Sequence, residues 1–350
     1  MVALAAGIVG GGRGDWNVFV DAGRDMLGTG GLGVFVRHPD VQTGPLSLLL
    51  APVLALTPRN GFVACAVLCA VLGLVAVRCV ELARHPDREE DSQGSELTTL
   101  IGGILVVFWW AKLGGYGHLD DALVLAAAAG ALLSVRRNRT VVGAVLLGFA
   151  IATKPWAVIL VPLTMGGVGP IRQRLRSPCI AVGLGALLWL PFLIAEPKTL
   201  QSMRPTVNIA PDSVLQLFGV TNDSIPQWLR TAQLLGALLL TAVVMWRGRP
   251  GGVILAAIAF RMMTDPGTWS YYTAGFMLGA LAWDLYETRW LMPRTTLVAA
   301  VLLLPPWIVH SADARAVMRL GACLGAIALV TLSRPTPVAV TDPATLVSVT

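Results

Sequence analysis

Residues 140–168 read TVVGAVLLGFAIATKPWAVILVPLTMGGV, an apolar stretch that contains a single charged residue, Lys154, followed directly by Pro155. Proline disfavours helical backbone in the residue before it. The sequence therefore predicts two short helices, 140–152 and 155–168, that turn at Thr153-Lys154-Pro155.

Two arginine-rich clusters flank this stretch, RRNR at 136–139 and RQRLR at 172–176. Short basic loops of membrane proteins face the cytoplasm. If both clusters lie on that side, the chain between them crosses the membrane an even number of times. Lys154 is then expected at a turn on the outer side.

The composition of the whole chain places it in a membrane. Of its 350 residues, 55% are hydrophobic and only 13% are charged, and the mean hydropathy is +0.70. Soluble proteins carry about 25% charged residues. These values exclude a cytosolic enzyme, a secreted disulfide scaffold and a nucleic-acid binder, so we read the net charge of +6 as a topology signal.

The apolar runs predict an all-α polytopic membrane protein with about 11–12 transmembrane helices, because one crossing needs about 20 apolar residues. The N-terminal run, 1–12, is short for a span, so the first helix is either shortened or begins upstream of Met1. The predicted spans are 60–83, 98–113, 119–135, 178–195, 228–246, 270–286, 294–310 and 314–332, with shorter runs at 140–152, 155–168 and 250–263.

We expect one transmembrane domain, 1–335, followed by a cytoplasmic and disordered tail, 336–350. Residues 13–59 form the first outer loop, and within it the run 44–57 is too short to span and is expected as a juxtamembrane helix. A further outer loop covers 196–228.

Potential chemistry concentrates on the predicted outer side, beginning with Asp15. The apolar positions Trp16, Phe19, Val20 and Met26 follow helical spacing, which predicts an amphipathic interfacial helix with Asp15 at its start. The carboxylate either caps this helix or serves as a general base.

The second outer group is His118 with Asp120 and Asp121, behind the glycine-rich turn Gly114–Gly117. Acidic residues stabilise a helix N-terminus, but one acid suffices for a cap. Two acids and a histidine favour a functional site. A metal site is an alternative that needs another ligand from elsewhere.

Three further groups complete the outer set. Lys154 either snorkels to the surface or holds an anion such as phosphate. Arg261, Asp265 and the pair Tyr271-Tyr272 form either an ion pair with an aromatic belt or a subsite for an anion or acceptor. His38 lies near the end of the first outer loop.

The order and sidedness of these motifs resemble the GT-C superfamily of glycosyltransferases, in particular the mannosyltransferases of glycosyltransferase family 87. The pieces that match in order are Asp15 with its aromatic helix, Gly44-Pro45-Leu46, the acids in Gly117–Asp121, and the broken helix pair at Lys154-Pro155-Trp156. The resemblance covers residues 13–170 well and the rest loosely.

The resemblance implies transfer of a sugar, with mannose favoured, from a polyprenyl-phosphate donor to a lipid or cell-envelope glycan acceptor. It places the active site on the outer face of the bacterial inner (plasma) membrane and requires no metal or cofactor. Asp15, or else Asp21, would be the base, and His118, Asp120 and Asp121 would orient substrate. Substrate and phosphate binding would fall to the residues Lys154, Arg261, Arg204, Asp265, Tyr271, Tyr272 and His38.

Two other classes of function stay open at this point. Intramembrane charges next to a broken helix pair are also typical of a transporter or lipid flippase, although the chain shows no internal repeat. The short first helix keeps a non-catalytic homologue of these enzymes as the other alternative.

Overall fold

The computed structural model describes residues 14–55, 60–84, 92–165, 170–202, 207–220, 225–288, 290–304 and 308–333. In these ranges every regular element is helical, which confirms the predicted all-α class. The α-helices are α1 (Gly14–Leu27), α2 (Val34–Arg37), α3 (Pro45–Leu54), α4 (Asn60–Leu82), α5 (Ser92–Tyr116), α6 (Leu119–Arg136), α7 (Thr140–Thr153), α8 (Ile171–Ala195), α9 (Thr199–Ser202), α10 (Val214–Leu217), α11 (Gln227–Trp246), α12 (Val253–Thr264), α13 (Tyr272–Tyr286), α14 (Arg294–Leu303) and α15 (Ala312–Leu332). Three 3₁₀ segments cover Gly31–Gly33, Pro155–Thr164 and Pro250–Gly252.

Five of the described helices, α4, α5, α8, α11 and α15, are long and apolar enough to cross a membrane. The remaining apolar elements, such as α7 and the segment Pro155–Thr164, are shorter. The total of 11–12 spans and the GT-C-like arrangement stay predictions. The N-terminal run and the tail 336–350 lie outside the described residues.

Residues 14–55 contain helices α1 and α3, at the positions where the sequence predicts an interfacial helix and a short juxtamembrane helix. Helix α1 buries Trp16, Phe19, Val20 and Met26 and leaves Asp21 exposed, so its amphipathic pattern is confirmed. Helix α1 packs on α3, which in turn contacts α4 and α7.

The break in the quoted stretch is also present, with one difference in its second half. Residues 155–168 were expected to form a helix, and the structure has a 3₁₀ helix, Pro155–Thr164, of ten residues. Proline at 155 and 162 removes two backbone donors from this segment. At about 2.0 Å per residue a ten-residue 3₁₀ helix reaches only roughly 20 Å.

Helices α7 and α8 run in the same direction. The Ser177 hydroxyl donates to the Thr140 hydroxyl over 3.0 Å near their beginnings, and the Trp189 indole donates to the Ile151 carbonyl over 3.2 Å near their ends. The 3₁₀ helix therefore returns from the end of α7 to the beginning of α8. Both arginine clusters accordingly lie at one end of the bundle, as the parity argument requires.

Two packed groups of helices form the core. Helix α4 packs against α5 and α6, α6 against α7, and α7 against α8, whereas α12 packs against α11, α13 and α15. Contacts of α13 with α5, and of the 3₁₀ helix with α11, join the groups. Fully buried Leu132, Leu147, Leu160 and Leu255 lie in this core.

Candidate functional site

Nine of the predicted site residues form one contiguous cluster at the end of the bundle opposite the arginine clusters. They come from the start of α1, the α5–α6 turn, the end of α7, the end of α12 and the start of α13. The cluster consists of Asp15, His118, Asp120, Asp121, Lys154, Arg261, Asp265, Tyr271 and Tyr272.

Asp15 forms the exposed end of this charge cluster. Its side chain is 58% exposed, and its Oδ2 lies 3.0 Å from Nε2 of the buried His118. Helix α1 begins at Gly14, so Asp15 lies inside the first turn rather than before it. The close imidazole lowers the pKa of Asp15 and outweighs the opposing effect of burial. Asp15 is therefore an ionised carboxylate at neutral pH.

The glycine turn before α6 allows α1 to approach His118. Gly117 has a φ of +78°, and a Cβ at this position would lie 2.6 Å from Cβ of Trp16. A side chain at 117 would therefore push α1 away. The turn places the His118 ring between Asp15 and the first turn of α6.

His118 faces carboxylates on both sides of its ring. Its Nδ1 lies 3.4 Å from Oδ1 of Asp120 and 3.6 Å from Oδ2 of Asp121. Burial lowers the pKa of His118, but the carboxylates of Asp120 and Asp15 outweigh that effect and raise it above 6.5. The Tyr271 ring stacks on the imidazole with 3.8 Å between ring centroids.

Lys154 is buried and bridges the two acids of α6. Its Nζ lies 2.8 Å from Oδ2 of Asp120 and donates to Oδ2 of Asp121 over 2.6 Å. The Trp156 indole donates to the other oxygen of Asp121 over 3.0 Å. Lys154 therefore does not snorkel, and the anions it holds here are the protein's own carboxylates.

The Asp120-Asp121 pair contacts both the start of α6 and the charged residues around it. Oδ1 of Asp120 accepts the Asp121 amide over 2.9 Å in the first turn of α6, which stabilises the helix start. The remaining oxygens face Lys154 and His118. One carboxylate thus serves the helix and the site together.

The break after α7 positions Lys154. Because Pro155 has no N–H, Ile151 loses its helical partner, and the Trp189 indole takes that place. The Thr153 carbonyl accepts bonds from the Gly44 amide at 2.7 Å, the Thr43 hydroxyl at 3.0 Å and the Ser47 hydroxyl at 3.2 Å. The Gly44-Pro45-Leu46 motif thereby fixes the residue next to Lys154.

Arg261 lies between two aromatic rings. Its guanidinium carbon is 4.4 Å from the Trp156 ring centroid and 4.4 Å from that of Tyr272. The Nε is 3.6 Å from Oδ2 of Asp265, and an Nη is 4.0 Å from Asp121. The predicted Arg261–Asp265 pair is present, and Arg261 also joins Asp265 to the Lys154 cluster.

A small cavity lies among these side chains. Its volume is about 10 Å³, and its lining includes Asp121, Trp156, Arg261, Tyr271 and Tyr272. That is room for roughly one water molecule. A ligand larger than water therefore does not fit in this cavity as it stands.

His118, Asp120 and Asp121 also have the donor types of a metal site, with ligand atoms within 4.8 Å of one another. Carboxylate and imidazole ligands suit several divalent metals. The Lys154 ammonium, however, already contacts both carboxylates. A divalent ion would have to displace it, so we assign no metal.

Of the two remaining predicted residues, the one that the structure describes, His38, lies apart from the cluster. Nε2 of His38 is 3.2 Å from Oδ2 of Asp25, which also accepts a 2.9 Å bond from Arg37. This group belongs to α1, α2 and the residue that follows α2. Arg204 lies outside the described residues.

Sequence reasoning missed several participants. Trp156 was quoted only as part of a motif, and its ring and indole N–H contact Arg261 and Asp121. Arg230, with an Nη 3.8 Å from Asp265, and Arg319 on α15 were not considered. Arg319 had a usable signal, because a charge within an apolar span is costly and marks function.

No protein-family model matches this chain, and no curated protein or solved structure shows significant similarity to it. In the part of the chain that the structure describes, the fold and site define a helical protein with five helices long and apolar enough to cross a membrane and a buried ionic cluster at one end of the bundle.

Proposed function

We propose that this protein is a membrane glycosyltransferase that uses a polyprenyl-phosphate sugar. It transfers the sugar, with mannose favoured, to a lipid or glycan acceptor at the outer face of the plasma membrane. The resemblance of the motifs supplies the substrate class. The geometry of the ionic cluster supports the assignment of the base.

One observation carries the proposal: an exposed carboxylate, Asp15, is backed by a buried histidine and two buried acids. Asp15 contacts His118 at 3.0 Å, and His118 contacts Asp120 at 3.4 Å. A general base must reach its substrate and must be held in place. Asp15 is accessible, while the groups behind it are fixed by burial.

In the proposed reaction the acceptor hydroxyl donates a hydrogen bond to Asp15. The acceptor oxygen attacks the anomeric carbon as the bond from that carbon to the phosphate oxygen breaks. The electron pair leaves with the polyprenyl phosphate, and the hydroxyl proton passes to Asp15. His118 stabilises the carboxylate before transfer, so Asp15 acts late, when the hydroxyl has become acidic.

The separation of charge in the cluster suits this reaction. Around His118 three acids, Asp15, Asp120 and Asp121, outnumber the single lysine, Lys154. Around Asp265 the balance reverses, because Arg230 and Arg261 share that single acid. A base works in the acidic half, and guanidinium groups can stabilise a leaving phosphate in the basic half. Lys154 acts as a positioning residue for the acids.

The test is sugar transfer by the purified protein in nanodiscs, from a labelled polyprenyl-phosphate mannose to acceptors in a lipid extract of the source membrane. Asp15→Asn is expected to lower the rate at least about 100-fold, since a general base contributes that much. Asp21→Asn is the matched control, because Asp21 lies exposed on the same helix. It is expected to keep the wild-type rate.

Full activity of Asp15→Asn would refute the base assignment, and loss of activity in Asp21→Asn alone would transfer the role to Asp21. Absence of transfer by the wild-type protein, together with movement of labelled lipid between leaflets, would instead support the transporter class.

A further inference from the structure

Helix α15 carries a charged residue on its inward-facing side. Its buried residues Ala316, Cys323, Ala326 and Val330 recur at helical spacing. Arg319 falls on the same stripe, three residues after Ala316 and four before Cys323. A guanidinium on the inner face of an apolar helix is costly, and such residues mark binding sites or pathways.

Arg315, one turn before Arg319 on α15, is an arginine whose guanidinium has several hydrogen-bond partners. The Arg315 guanidinium donates to Asp212 over 3.1 Å and to the carbonyls of Val309 and His310 over 3.1 Å and 3.0 Å. Asp212 also accepts a 2.6 Å bond from Thr268. This arrangement ties the loop before α10 to α15 and engages Nε and one Nη of Arg315.

Arg319 lacks such partners. Within the described part of the chain, no carboxylate oxygen lies within 4.0 Å of its guanidinium, and that group makes no hydrogen bond. The charged groups that act on it are Asp212 and Asp265 from neighbouring parts of the fold and Arg315 from α15 itself. Both acids are already engaged, Asp212 by Arg315 and Asp265 by Arg261.

Arg230 adds a second cation at this end. It lies on α11, its side chain is 37% exposed, and its Nη approaches Asp265 only to 3.8 Å, beyond hydrogen-bond distance. Two exposed aromatic side chains lie on elements next to α15. Trp228 is on α11, two residues before Arg230, and Phe218 directly follows α10, which also contacts α15. Exposed aromatic residues of this kind are typical of the lipid–water interface.

We propose that Arg319, assisted by Arg230, binds a phosphate group at this end of the bundle. Five N–H donors in a planar fork match phosphate oxygens, and the region contains more guanidinium groups than carboxylates. The interfacial aromatic side chains favour a phosphate that is carried by a lipid. Free phosphate offers the same oxygens, so the experiment compares both.

The site is defined by binding and does not depend on sugar transfer. If the proposed glycosyltransferase activity is right, this site is suited to the phosphate of the donor. That last step rests on the proposed function. A wild-type protein that binds the phosphate lipid through Arg319 and transfers no sugar would refute only the proposed function, so the two proposals can fail separately.

The experiment measures binding to protein in phosphatidylcholine nanodiscs through the shift in Tm. The probes are a polyprenyl monophosphate, the same polyprenol without phosphate, and inorganic phosphate. Arg319→Gln is expected to weaken binding of the phosphate lipid at least about tenfold. Without ligand its Tm is expected to equal or exceed that of the wild type, because a half-buried charge without a carboxylate partner has been removed. Arg247→Gln, an exposed arginine at the other end of α11, makes the same charge change and is expected to bind normally.

Binding to Arg319→Gln with the wild-type Kd would overturn the proposal, as would a wild-type protein that responds equally to polyprenol and its phosphate and not to inorganic phosphate. If Arg319→Gln does not fold, Arg319→Lys gives the comparison. A lysine cannot form two parallel bonds to phosphate, so weaker binding is expected, and unchanged binding would count against the site.

Discussion

Lys154 is a buried cation in contact with two buried carboxylates. The side chains of Asp120 and Asp121 are at most 4% exposed, and that of Lys154 is 8% exposed. A buried ion pair adds little net stability, since desolvation offsets the attraction, but removal of one partner leaves an uncompensated charge. The cluster is therefore sensitive to any change in one member.

Lys154→Met is expected to lower the free energy of unfolding by about 3–5 kcal/mol, because Asp120 and Asp121 would stay buried without the ammonium group that contacts both of them. Thermal or denaturant unfolding in detergent measures this. The control is Arg78→Met, which breaks the exposed pair with Glu81 and should change stability by about 0–1 kcal/mol. Wild-type stability of Lys154→Met would mean that the cluster is hydrated.

His118 gives the cluster a dependence on pH. Its pKa is raised above 6.5 by Asp120 and Asp15 despite its burial. The folded protein thus holds this proton more tightly than the unfolded chain. The resulting stability is complete below pH 6.5 and is lost as the pH rises through the pKa of the folded state.

The Tm of the wild type is therefore expected to fall as the pH rises from about 6.5, and His118→Gln should flatten this dependence. Scanning calorimetry between pH 5.5 and 9 would measure both. His38→Gln removes an imidazole beside Asp25, outside the cluster, and should keep the wild-type profile. Identical profiles for wild type and His118→Gln would argue against the raised pKa.

Among the helices and loops, residues 43–47 stabilise the break after α7. Three donors from residues 43–47 converge on the Thr153 carbonyl. A proline break frees backbone acceptors, and a buried acceptor without a partner costs free energy. The start of α3 and the two residues before it thus supply hydrogen-bond donors to a carbonyl at the end of α7, and they fix the backbone beside Lys154.

Gly44→Ala is expected to destabilise this contact by about 1–3 kcal/mol, the usual cost of overpacking. A Cβ at Gly44 would lie 2.1 Å from the Ala152 carbonyl oxygen. Gly183→Ala is the matched control, because nothing lies within 4 Å of a Cβ there, in the interior of α8. It should leave stability unchanged or raise it by up to about 1 kcal/mol. Equal Tm values for the two variants would contradict this role of Gly44.

For the whole molecule, charge is divided between the two ends of the bundle. The arginine clusters lie at one end, where Arg136 donates to the Arg84 carbonyl. The Lys154 cluster lies at the other end. Basic loops face the cytoplasm, so we predict that the cluster opens to the outer side.

Cysteine labelling of intact cells with a membrane-impermeant maleimide tests this orientation. Asp21→Cys is expected to react and Gln173→Cys to react only after permeabilisation, both in a background in which the exposed Cys179 is serine. Positions 21 and 173 are both exposed, so reactivity reports sidedness rather than burial. The reverse pattern would invert the topology and place the site in the cytoplasm.

Much of the fold could be predicted because its signals are local. Apolar length predicted α4, α8 and α11 within a few residues, apart from the first turns of α8, where arginines precede the apolar run. Proline predicted the break at Lys154. The 3₁₀ form of Pro155–Thr164 was missed, since hydropathy does not distinguish one helical geometry from another.

The site was predicted as a set of residues and not as a set of contacts. The sequence separated outer from inner polar groups, which was enough to choose nine residues that lie together. The sequence predicted phosphate as a possible partner of Lys154. In the structure the partners of Lys154 are Asp120 and Asp121. The sequence grouped His38 with them, whereas the structure pairs His38 with Asp25.

The sequence by itself predicted a membrane protein and determined that its elements are helices and where one of them breaks, because hydropathy and proline act within a few residues. Only the tertiary structure decided the partners of each charge. Lys154 reaches Asp121 across 33 positions, and Arg315 reaches Asp212 across 103. Such pairings depend on how helices pack, and the packing leaves Arg319 without a partner among the described residues.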